Sequence, residues 1–170
     1  MICPSCGSKL KKTTRDYHYT ESGLDNIILK GVTVYECPEC GDSLPELRGI
    51  ERIHKEISYS LVRDENPLTG RGVRFISKQM GLTEKDFAAL LGVDPVSVSR
   101  WENSKSKIAA TNDRLIRMVF VQALEEECNQ VARDTIARIM SVRKSPAGKS
   151  SINIPPLKRD AEFCLAIGKV

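Results

Sequence analysis

Two copies of nearly one pentapeptide, Cys3-Pro4-Ser5-Cys6-Gly7 and Cys37-Pro38-Glu39-Cys40-Gly41, carry the side chains best suited to chemistry in this 170-residue chain. Thiolates at i and i+3 can grip one cation from a single tight turn. Proline fixes φ within that turn, and the glycine after the second cysteine accepts a positive φ. Two such knuckles complete a tetrahedral site, so Cys3, Cys6, Cys37 and Cys40 are expected to hold one structural Zn2+ per chain. The thirty residues between Cys6 and Cys37 allow an antiparallel excursion and return. A site filled by four protein ligands stabilises folding and leaves no open position for substrate or water. The competing reading, a redox dithiol, usually has a single Cys-x-x-Cys near a βαβ pattern, whereas here the motif is duplicated in a β-rich stretch. His18 and His54 read as ordinary surface or packing residues, and Cys128 and Cys164 as small apolar ones. No paired carboxylates, nucleophile elbow or phosphate-binding glycine loop appears, so the chain is read as no enzyme.

A second pattern lies in the run from Leu82 to Asn103. Thr83, with Asp86 three residues on, predicts one helix start, and Asp94-Pro95 predicts another about eleven residues later. Gly92 between them is free to take the left-handed conformation of a sharp turn, and Ala88 is small enough for two helices to cross closely. Together these form a helix-turn-helix signature. Val98 and Trp101 should point inward with Ile76, Leu82, Phe87, Leu91, Leu115 and Val119. The opposite face of the second helix then carries Val96, Ser97, Arg100 and Asn103. Arginine matches the paired acceptors of guanine and valine suits a thymine methyl, so Val96, Ser97 and Arg100 are the candidates for reading bases. Arg71, Arg74, Thr83, Lys85, Ser99, Asn103, Lys105 and Lys107 are the candidates for the DNA backbone, where contacts supply affinity without sequence information.

The elements that must position these groups suggest an α+β multidomain chain. Residues 1–42 read as a small β-rich, zinc-ribbon-like domain, with strands at Asn26-Ile27-Ile28-Leu29 and Val32-Thr33-Val34-Tyr35. Ser43-Leu44-Pro45-Glu46 predicts a helix start with Ser43 as N-cap. The recurrence of Leu44, Leu47, Ile50, Ile53, Ile57 and Leu61 then predicts an amphipathic helix to about residue 61, serving as a packing or dimer surface. Turn formers over 64–70 predict a linker, so residues 43–70 are read as helix plus linker. Residues 71–123 read as an all-α helix-turn-helix domain, and 124–170 as a helical extension followed by an extended or disordered tail. The formal charge of +4 is concentrated late: nine basic residues stand against five acidic over 67–123, and the first 66 residues are slightly acidic. No run of about 18 apolar residues and no secretory leader is present, which predicts no membrane association and a cytoplasmic location, where thiols stay reduced.

With both modules in view, the chain resembles the MqsA (YgiT-type) antitoxin family over roughly residues 1–123. Members of that family join a CxxC...CxxC zinc domain to a helix-turn-helix of the phage-repressor (XRE) type. The resemblance implies that Cys3, Cys6, Cys37 and Cys40 ligate the zinc and that Arg100 contacts a base. It also implies that the N-terminal half neutralises a ribonuclease toxin and that a homodimer represses the operon encoding both proteins. Such a dimer would bind double-stranded DNA at a palindromic operator with half-sites about one helical turn apart. Val96 stands where the best-known member has a base-reading asparagine, and Glu84 where a phosphate-contacting glutamine is common, so the operator sequence does not carry over. The alternative function is a stand-alone zinc-containing transcriptional regulator without a toxin.

Overall fold

The computed structural model describes residues 1–125 and 151–154, which form an N-terminal sheet followed by five α-helices. Strand β1 (Lys11–His18) pairs antiparallel with β2 (Ile27–Glu36), and a short 3-10 turn at Thr20–Ser22 lies in the connection. The two β-branched stretches expected as separate strands are one continuous strand, β2. Its partner β1 was not anticipated, because KKTTRDYH has little apolar alternation and most of it faces solvent as a charged edge. The register slips between Arg15 and Tyr17, where the Asp16 carboxylate accepts from Lys30 Nζ at 2.7 Å and from the Gly31 amide at 3.4 Å.

Ser43-Leu44-Pro45 does not begin a helix. It forms strand β3 (Ser43–Pro45), with Glu36 opposite Ser43, Tyr35 opposite Leu44 and Val34 opposite Pro45. The local capping signal is outweighed by the open edge of β2, which supplies backbone partners and lets Leu44 pack beside Cys3, Leu10 and Cys37. Helix α1 therefore spans Ile50–Arg63, without a side-chain cap, and buries Ile53, Ile57 and Leu61 at the expected helical spacing. The remaining helices are α2 (Gly70–Gln79), α3 (Glu84–Leu91), α4 (Pro95–Glu102) and α5 (Ala110–Glu125). A last strand, β4 (Ile152–Ile154), pairs parallel with the start of β2. The rest of the C-terminal extension expected over 124–170 lies largely outside the described residues. No described helix is long and apolar enough to cross a membrane.

Among the described residues, two clusters gather the apolar groups. A small one, at the knuckle end of the sheet, joins Cys3, Leu10 and Cys37, with Tyr35 and Leu44 against it. The large one runs from Tyr19, Leu24, Ile27 and Leu29 of the hairpin through all five helices. On α5 the buried apolar positions are Ile116, Phe120 and Val121, whereas Leu115 and Val119, expected as core, are only partly buried. The turn-rich stretch 64–70, read as a linker, is tied down by α5. Arg117, fully buried, pairs with Asp113 at 2.6 Å and donates to the carbonyls of Leu61, Val62, Asp64 and Asn66, while Asp113 accepts the Leu68 amide at 2.6 Å. One guanidinium thus satisfies the carbonyls left over at the end of α1.

Candidate metal centre and nucleic-acid interface

The two cysteine knuckles have the same hydrogen-bonded form. In the first, the Cys3 amide donates to Ser8 at 2.9 Å and Gly7 donates back to Cys3 at 3.0 Å; in the second, Cys37 donates to Asp42 at 2.8 Å and Gly41 to Cys37 at 3.0 Å. Gly7 and Gly41 both sit at φ 75°, the left-handed conformation that the sequence pattern anticipates. The Ser5 hydroxyl donates to the Asp42 carboxylate at 2.9 Å and so links one knuckle to the other.

These turns bring the four sulfurs within 4.8 Å of one another, with Cys3 to Cys40 at 3.6 Å and Cys6 to Cys37 at 3.4 Å. The distances exclude disulfides, which need about 2.05 Å, and bracket the roughly 3.8 Å edge of a sulfur tetrahedron around a cation bonded at about 2.3 Å. The residues fit a single thiophilic metal ion. Cys3 and Cys37 are buried beneath the site, while Cys6 and Cys40 face outward. In the absence of metal the thiols share protons unequally. Hydrogen bonds from Ser8, reinforced by Cys37, pull Cys6 down to about 6. The Asp42 amide also favours the Cys40 thiolate, but Cys37, desolvation and the other two thiols outweigh it and push Cys40 up to about 12. A cation would replace those protons and remove the sulfur–sulfur competition.

The second candidate site is built on α3 and α4. The Thr83 side chain accepts the Asp86 amide at 3.2 Å, and its hydroxyl donates to the Asp86 carboxylate at 2.6 Å. At the other end of α3, Gly92 takes φ 65°, and the amides of Gly92 and Val93 return to Ala89 and Ala88 at 3.2 and 3.0 Å. Asp94 then caps α4 by accepting the Val96 amide at 2.8 Å, with Pro95 in the first turn. Ala88, Val98 and Trp101 are buried, so the two helices pack through the faces expected from the sequence. The outer face of α4 presents Val96, which is 56% exposed, together with Arg100, while Ser97 and Ser99 are half-buried. Beyond α4 the amides of Lys105 and Ser106 both return to the Arg100 carbonyl, at 2.8 and 3.3 Å, which fixes the backbone beneath that arginine.

The basic and polar residues expected near a phosphate backbone fall into two groups. Lys85, Lys105 and Lys107 project into solvent. Arg71 pairs with Asp25 at 3.3 Å, Arg74 approaches Glu102 at 3.8 Å, Thr83 serves its own cap, and Asn103 donates from its side chain to the Ser99 carbonyl at 2.8 Å.

Three supports of α4 were not foreseen. Gly70 meets the end of the helix so closely that an added Cβ would lie 2.0 Å from the Trp101 carbonyl oxygen. The Ser77 hydroxyl donates to the Glu102 carboxylate at 3.3 Å, and desolvation raises the Glu102 pKa above its ordinary value, with Ser77 and Arg74 opposing. The Asp113–Arg117 pair holds the chain that leads into Gly70. In the sequence Gly70 counts only as a turn former; its close approach to another backbone depends on tertiary structure.

The family profile described as "Antitoxin component of bacterial toxin-antitoxin system, MqsA" matches residues 1–144. No curated protein and no solved structure is significantly similar to the chain. With most of its length matched, and with four cysteines gathered into one cluster that could hold a metal ion, the chain belongs to the MqsA family of antitoxin components of bacterial toxin-antitoxin systems.

Proposed function

We propose that the chain is a dimeric, sequence-specific transcriptional repressor of the cytoplasm and the antitoxin partner of a ribonuclease-type toxin. In this reading Zn2+ on Cys3, Cys6, Cys37 and Cys40 is structural, and the N-terminal half neutralises the toxin. Helices α3 and α4 act as a phage-repressor (XRE) type helix-turn-helix on a palindromic operator, including that of the chain's own operon. The observation that carries the DNA-binding part is the two-sidedness of α4: Val98 and Trp101 are buried while Val96 and Arg100 stand outward at an anchored helix end. Val96, Ser97 and Arg100 read bases, and Lys85, Lys105 and Lys107 meet phosphates. Arg71, Arg74, Thr83, Ser99 and Asn103 are assigned to the DNA backbone in the same reading. The two arginines would exchange their present carboxylate partners for phosphate, a trade that salt should oppose.

The test of the DNA reading is the Arg100→Ala variant, assayed on operator and on unrelated duplex. Loss of a bidentate base contact should weaken operator binding by about 1–3 kcal/mol and leave non-specific binding nearly unchanged. Equal weakening on both duplexes would assign Arg100 to a phosphate instead. For the antitoxin reading, the test is purification after co-expression with the flanking genes, with metal assayed on the same sample. A co-purifying basic protein and about one zinc per chain are expected; zinc without a partner would favour a stand-alone regulator.

A further inference from the structure

We propose that the edge of β2 at Ile27–Leu29, roofed by α1, is an acceptor site for an extended Ile-x-Ile peptide, and that its resident ligand is this chain's own β4. The matched family region ends at residue 144, so β4 lies beyond it. β4 nevertheless returns to the N-terminal sheet, placing Ile152 opposite Ile27, Asn153 opposite Ile28 and Ile154 opposite Leu29. The Ile152 amide donates to the Asn26 carbonyl at 2.7 Å, so the ladder begins just before the paired residues.

Three features mark β4 as a ligand strand added to a formed sheet. Among the described residues it is the sheet's sole parallel pairing, on an edge that β3 covers only at Val34–Glu36, so that no other described strand lies along the start of β2. Its side chains alternate as a strand ligand requires: Ile152 and Ile154 are buried in the cluster that holds Ile27, Leu29, Ile53 and Ile57, while Asn153 faces solvent. It is also short. Pro155 and Pro156 follow in the sequence, and their missing N–H groups bar further pairing on the amide side. Two buried isoleucines set against the ordering of three or four residues make a contact that can open without unfolding the sheet. While seated, β4 keeps this edge from recruiting a strand of another molecule.

The test is amide hydrogen exchange on the full-length chain, comparing wild type with Ile152→Ser plus Ile154→Ser. Exchange at residues 26–29 should accelerate by roughly tenfold or more, with protection at 33–36 retained. The milder pair Ile152→Val plus Ile154→Val should lie in between. A synthetic peptide spanning residues 149–156, added to the serine variant, should restore protection saturably. Unchanged exchange at 26–29 in the serine variant would overturn the proposal, as would failure of the peptide to restore protection. Loss of protection across the whole sheet in both variants would make β4 integral to the fold and also overturn it. Wild-type protection at 26–29 that declines on dilution would overturn the intramolecular assignment by making the donor a second copy.

Discussion

Arg117 concentrates more of the structure's polar bonding than any residue the sequence singles out. Its guanidinium and the Asp113 carboxylate are removed from water, with side-chain exposures of 0% and 1%. Such a pair contributes little beyond well-packed apolar groups, but losing one member leaves the other buried and uncompensated. Arg117→Met should therefore destabilise the protein by about 3–5 kcal/mol in denaturant titration. Asp113→Asn should also destabilise, because its single acceptor oxygen can serve the Leu68 amide or Arg117 Nε but not both and the guanidinium is left buried without its counter-charge; a Met variant as stable as wild type would show that water replaces the guanidinium. Glu102 bears on pH. Desolvation raises its folded-state pKa above the ordinary carboxylate value, so the folded protein holds this proton more tightly than the unfolded chain. The resulting stability is present in full below the ordinary value and is lost as pH rises through the raised one. Glu102→Gln should accordingly melt higher than wild type at pH 7, with the gap closing near pH 4. A gap that widens on acidification would mean that the Arg74 contact outweighs desolvation.

At the scale of elements, the sequence was readable where local chemistry and tertiary packing agree. Thr83, Gly92 and Asp94 do what their types suggest, and α3 and α4 follow. The cysteine knuckles were equally plain because each turn encodes its own geometry. Reading failed where a partner distant in sequence decides the conformation. β1 is fixed by β2 in the absence of a hydrophobic period, β3 overrides a helix-cap signal, and α5 turns Ile116 and Phe120 inward in place of their neighbours Leu115 and Val119. Gly70 belongs to the same class, since only the approach of α4 explains it. Gly70→Ala should force α2 and α4 apart at a cost of about 1–3 kcal/mol. Operator affinity should fall further than that of a control variant of equal stability, measured by fluorescence anisotropy. Equal losses in the two variants would show that the angle of α4 is set elsewhere.

For the whole molecule, the important fact is that the sheet serves two cores. Its knuckle end depends on the sulfur cluster, and its hairpin end is part of the helical core. Removing metal with a chelator, or substituting Cys37→Ser, should deprotect residues 1–10 and 37–44 in hydrogen exchange while Ile27–Leu29 and the helices stay protected. Complete loss of protection would mean that the sulfur cluster supports both cores.

The clasp on residues 64–70 also affects how this protein would be degraded. Asp64–Gly70 looks like the place where a protease would nick the chain, yet its Asp64 and Asn66 carbonyls are held by Arg117 and its Leu68 amide by Asp113. A protease must bind several residues in extended form, so cleavage there has to await release of α5. The cutting rate at this segment would then report on the opening equilibrium of the helical core, and its turnover would be governed by the folding energetics of the whole unit.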